Sequence, residues 1–102
     1  MADTKEKKVK DKVRKVLAEY GVYNFMPATH GYGRSGVPDI IACFNGRFMA
    51  IETKAGKGTT TALQERELDL IRKSGGVAMV INEENIHELE QYLASFDEEG
   101  RG

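Results

Sequence analysis

The stretch Val-Pro-Asp-Ile-Ile-Ala-Cys-Phe-Asn-Gly-Arg-Phe-Met-Ala-Ile-Glu-Thr-Lys, residues 37–54, decides how this chain folds. Two apolar runs, 37–44 and 47–53, are joined by Asn45-Gly46, the strongest short signal for a tight β-hairpin. Both faces of each run are largely apolar, as in strands covered on both sides. A two-residue turn fixes the register. Phe44 then faces Arg47, and counting back along the two runs brings Asp39 opposite Glu52. Side chains alternate along a strand, so Lys54 falls on the same side as Glu52. The hairpin therefore predicts Asp39, Glu52 and Lys54 on one face, at its open end.

Two like charges placed directly opposite each other destabilise a sheet, with Cβ atoms about 4.5–5.5 Å apart. Something must offset that repulsion. A divalent cation is one candidate, because oxygen ligands suit Mg²⁺ or Mn²⁺. Lys54, as the partner in a structural ion pair, is the other. The geometry alone leaves both open.

Outward from the hairpin, residues 4–20 read as a helix. Val9, Val13, Val16, Leu17 and Tyr20 form one apolar stripe, and Gly21 supplies the stop. Glu6 falls on the stripe's side of this helix, which predicts that it points inward or toward a cleft edge. Residues 22–26 are a weak strand candidate, and the glycine-rich stretch 27–36 reads as a loop. After the hairpin, residues 61–74 make a second helix, with Leu63, Leu70 and Ile71 on its expected buried face and Leu68 close by. Residues 77–81 are a short apolar strand. Asn82 is placed to cap a last helix, whose stripe is Ile86, Leu89, Leu93 and Phe96, with Glu83 and Glu84 at the positive end of its dipole. The order α-β-β-β-α-β-α predicts an α/β fold with a mixed sheet flanked by helices.

Length fits one domain over residues 1–102, with short frayed tails at 1–3 and 97–102. No apolar run is long enough to span a bilayer, and the Lys-rich start lacks the apolar region of a secretory signal. Cys43 is the sole cysteine, so an internal disulfide and a cysteine zinc cluster are excluded. It is expected to pack as a small apolar side chain in a reducing, cytoplasmic setting. The net charge of -1 hides an asymmetry. Residues 1–20 carry seven Lys/Arg against four acids, whereas residues 83–102 carry seven acids against Arg101 alone. A basic first helix, with Lys8 and Lys12, fits phosphate tracking, and equally fits a solvated helix face.

Gly36-Val37-Pro38-Asp39, followed by Ile51-Glu52-Thr53-Lys54 with its glutamate thirteen residues beyond the aspartate, resembles the PD-(D/E)xK nuclease motif. The glycine before Pro-Asp, the short connection and Gln64 after the Glu-x-Lys resemble the VRR-NUC branch in particular. The resemblance covers roughly residues 6–81. It implies a restriction-endonuclease-like core, αβββαβ, to which this chain adds a C-terminal helix. It implies a Mg²⁺- or Mn²⁺-dependent endonuclease in which Asp39, Glu52 and the backbone carbonyl of Thr53 hold the metal and Lys54 is the catalytic lysine. Gln64 matches the family's active-site glutamine, and Glu6 matches the acid that the first helix often brings to the metal. Stand-alone members, often phage-encoded, resemble Holliday-junction resolvases in size and in acting as homodimers. The implied partner is DNA, and branched DNA such as a four-way junction or a flap in particular.

Other readings of the same residues stand beside these. Thr61-x-x-Gln64 is also a capping box, so Gln64 has a structural role available, and Glu6 is also a first-turn acid favoured by the helix dipole. In the loops, Tyr32, Arg34, Ser35 and Lys57 are candidate DNA contacts. His30 reads as a loop residue, and His87 lies on the acidic last helix. A non-catalytic nucleic-acid-binding module on the same fold is the alternative function, and an adaptor using the acidic last helix is a third.

Overall fold

The computed structural model describes residues 4–28 and 33–98, with α1 Lys5–Glu19, β1 Tyr23–Phe25, β2 Ile40–Phe44, β3 Arg47–Thr53, α2 Ala62–Lys73, β4 Val77–Ile81 and α3 Ile86–Glu98. The strands form one sheet in the order β1-β2-β3-β4. The first two pairings are antiparallel and β3–β4 is parallel, with α2 as the crossover. This is the mixed α/β architecture of a restriction-endonuclease-like core with an added C-terminal helix.

The hairpin turn is made as its residues require. Asn45 and Gly46 both sit at positive φ, 54° and 78°, the backbone of a two-residue turn that matches strand twist. The resulting register pairs Phe44 with Arg47 and runs to Ile40 opposite Ile51. Strand β3 lies between β2 and β4, and its last five residues, 49–53, are buried.

The sheet's two faces are covered unequally. Ile40, Ala42, Phe44, Met49 and Ile51 meet Val9, Val13, Val16 and Leu17 of α1 and Leu89 and Leu93 of α3 in one apolar core. Helix α2 packs against β4, next to the other face. There it buries Leu68, whereas Leu63 and Leu70 stay 47% and 43% exposed, against the expectation that both would be buried. One helix cannot shield four strands. Tyr23, Cys43 and Phe48, which share one register row across β1, β2 and β3, are all exposed. Cys43 is thus on the surface and not packed as expected.

Helix α3 also starts later than its sequence signal. The Asn82 side chain accepts from the backbone N–H groups of Glu84 and Asn85, and the Asn85 side chain bonds back to Asn82 and Val80. These exchanges hold residues 83–85 in a turn, so Asn82 caps that turn and the helix begins at Ile86. Among the described residues, no helix is long and apolar enough to cross a membrane.

Candidate active site at the open end of the hairpin

Continuing the observed register past Ile40 and Ile51 sets Asp39 opposite Glu52 and Pro38 opposite Thr53. Proline has no N–H to give the ladder. The strand ends there, and the Asp39 carboxylate takes over the role of a strand neighbour. Its Oδ2 accepts from the Thr53 backbone N–H at 2.9 Å and from the Thr53 hydroxyl at 2.7 Å. A residue's N–H and C=O point to the same side of its strand, so the Thr53 carbonyl faces this edge too, opposite a residue that has no N–H.

Glu52 is 2% exposed. Its Oε2 accepts from the Gln64 side-chain amide at 2.9 Å and lies 3.5 Å from the Lys54 ammonium. Its Oε1 is buried without a hydrogen-bond partner among the described residues. Burial, and next the charge of Asp39, push the Glu52 carboxyl up to about 7, while Lys54 and the Asp39 backbone N–H pull the other way. A buried carboxylate with an orphaned oxygen is costly unless a further partner arrives.

Gln64 makes two sets of contacts at once. Its Oε1 accepts from the Thr61 N–H in a complete capping box, and its Nε2 holds Glu52. The start of α2 is brought close by Gly36. At φ 77° this glycine lies so near the helix that a Cβ would sit 2.6 Å from the Leu63 carbonyl carbon and oxygen. The same loop is clamped by Arg34, whose Nε and Nη2 bond both oxygens of the buried Glu67 at 2.8–3.1 Å. That fork holds the Glu67 carboxyl below the usual carboxylate range. Arg34 is therefore engaged within the protein and is not a free phosphate ligand.

Helix α1 approaches from the other side, through a residue the sequence reading did not single out. Lys10 Nζ stands 3.9 Å from Asp39 Oδ1. Glu6, one turn earlier, is exposed beyond Val9, where the apolar stripe begins, which leaves the cleft edge and not the interior of the two places expected for it. The spacing of four residues puts Glu6 and Lys10 on one side of the helix, and the sheet edge ends near the second of them. Lys8 and Lys12 are exposed on α1, Ser35 is exposed in its turn and Lys57 in the loop after β3. That loop is tied to the β4–α3 turn, since Glu83 accepts from the Gly56 N–H at 2.9 Å. His30 and Tyr32 lie outside the described residues.

Among the described residues, no three His, Cys, Asp or Glu side chains form a metal cluster. The donors present are two carboxylates and a backbone carbonyl, all oxygen, with one carboxylate oxygen orphaned. That set fits a hard divalent cation, which keeps several of its own waters. Together, the sheet order, the hairpin and this end-of-strand constellation define a nuclease-type fold.

Comparison with known proteins finds its likeness in structure and not in sequence. No family model and no curated protein matches the sequence. Solved structures do match. A VRR_NUC domain superposes with a TM-score of 0.74 at 25% identity, covering 87% of this chain and 97% of that one. A second VRR_NUC domain protein gives 0.65 at 20% identity, with 90% of each chain covered. Hjc of Archaeoglobus fulgidus, a Holliday junction resolvase from an archaeal hyperthermophile, gives 0.58 at 24%, covering 74% of this chain and 66% of that one. The chain thus shares its fold with VRR_NUC domains and with a Holliday junction resolvase.

Proposed function

We propose that the protein is a Mg²⁺- or Mn²⁺-dependent endonuclease that hydrolyses DNA phosphodiesters, acting on branched DNA as a homodimer. The observation that carries this reading is the Glu52 carboxylate. It is buried, it has an orphaned oxygen, and it stands between Lys54 and Gln64 with Asp39 beside it. A structural ion pair accounts for Lys54 but leaves Oε1 without a partner.

Asp39, Glu52 and the Thr53 carbonyl would hold the cation. When bound, it supplies Lewis-acid polarisation of the phosphate and a more acidic water. The chain's own groups do the rest. Thr53 fixes Asp39 through two hydrogen bonds, and Gln64 fixes Glu52, so neither carboxylate must reorganise when substrate arrives. Lys54 is largely buried, so its charge acts in a poorly screened setting. Its ammonium stabilises the negative charge that builds on the phosphate oxygens as water attacks phosphorus and the P–O bond to the leaving strand breaks.

Branched DNA as substrate is supported by the likeness to a Holliday junction resolvase. The homodimer is supported by the uncovered row of Tyr23, Cys43 and Phe48, since contiguous exposed apolar surface marks interaction sites. Two sites in one dimer suit paired cuts on a four-way junction. The experiment is incubation of the purified protein with four-way junction, flap and linear duplex DNA in Mn²⁺. Junction cleavage that Lys54→Ala abolishes is expected. Cleavage undiminished in that variant would reject the assignment. Metal-dependent binding with no product would favour a non-catalytic module.

A further inference from the structure

The site contains two ammonium groups. Lys54 faces Glu52, and Lys10 faces Asp39 from α1, a separate element on the other flank. Lys10 keeps only 27% of its side chain exposed, so its reach toward Asp39 Oδ1 is a packed arrangement and not a solvated tail. Asp39 Oδ2 is already committed to Thr53. Oδ1 is therefore the oxygen left to meet a cation, and Lys10 places a positive charge 3.9 Å from it, on the side where a second bridged ion would have to sit.

Resting on the metal-dependent reading above, we propose that Lys10 stands in for a second metal, so that the site takes a single divalent ion. Charge balance leads to this count. Asp39 and Glu52, both ionised, are offset by Lys10 and Lys54. One divalent ion then leaves two positive charges to meet a phosphodiester whose negative charge grows toward two in the transition state. A second divalent ion would leave four. Paired metals about 3.5–4 Å apart need a bridging carboxylate and further acidic ligands. Among the described residues, no third acid joins Asp39 and Glu52.

The test is Mn²⁺ titration of the folded protein, read by electron paramagnetic resonance of free Mn²⁺. Asp39→Asn serves as the background for weak binding by the acidic surface. Wild type is expected to bind one ion per chain above that background. Lys10→Gln removes a positive charge a few ångströms from the ion and should tighten the single site roughly tenfold. Lys10→Glu adds the missing acid and should raise the count to two. Circular dichroism checks that each variant remains folded. Two ions per wild-type chain, or an affinity unchanged in Lys10→Gln, would overturn this inference while leaving the metal-dependent reading intact. A wild-type chain that binds no Mn²⁺ at all would overturn both.

Discussion

Replacing Glu52 by glutamine should make the metal-free protein more stable, and increasingly so as the pH rises. Glutamine has nearly the shape of the protonated acid, so it keeps the packing and removes the charge. The Glu52 carboxyl is pushed up to about 7 in the fold, from an ordinary value of 4.5. Between those values the native state binds more protons than the unfolded chain, so stability falls as pH rises through that window. At pH 8 the accumulated cost in the wild type is about 3 kcal/mol, from 2.5 pH units at about 1.36 kcal/mol each. For a domain of this size that corresponds to a melting temperature on the order of 10–20 °C higher in the variant. Thermal and urea unfolding in EDTA, from pH 4.5 to 8.5, provide the readout. The two proteins should be nearly equal near pH 4.5 and diverge until about pH 7.5, then run parallel. A wild type as stable as the variant at pH 8 would refute the claim that an ionised Glu52 is costly in the metal-free protein.

Three further outcomes follow from the same geometry. Gly36→Ala should cost at least about 2 kcal/mol, because the added Cβ meets the α2 backbone at a position that already needs positive φ, and a drop in unfolding midpoint reads it. Arg34→Ala should lower stability modestly, because the exposed guanidinium is screened by solvent, and the unfolding midpoint reads it. The depressed Glu67 carboxyl contributes stability above its unfolded pKa that is lost as pH falls through its folded value, so the wild-type advantage over Arg34→Ala should vanish on acidification below the carboxylate range. DNA binding should weaken steeply with added salt, because affinity must come from a local basic patch on a chain of net charge -1, and filter binding at rising salt checks it.

The hairpin and its register were legible because a single dipeptide, Asn45-Gly46, dictates both, and everything paired to it follows by counting. The nearness of Asp39, Glu52 and Lys54 came from that count, whereas the place of Gln64 came from the family resemblance, Thr61 marking only the start of α2. What was not legible depends on how elements lie across one another. Helical periodicity showed that α1 has a buried side but not where along its length the sheet edge ends, so Glu6 was expected at the site and Lys10 arrives there. Alternation in β2 and β3 could not show that a single helix covers the second face. That is why Cys43, Phe48 and Leu70 read as buried and are exposed. The Arg34–Glu67 clamp joins residues far apart in sequence and has no local signature. The Asp39 carboxylate accepting from the Thr53 N–H and hydroxyl has no local signature either.

The measurement that bears most directly on the account is anomalous diffraction from crystals soaked in Mn²⁺. A peak bounded by the carboxylates of Asp39 and Glu52 and the carbonyl oxygen of Thr53 is expected. Manganese bound only elsewhere, with the Glu52 oxygens still held by Gln64 and Lys54 alone, would contradict it.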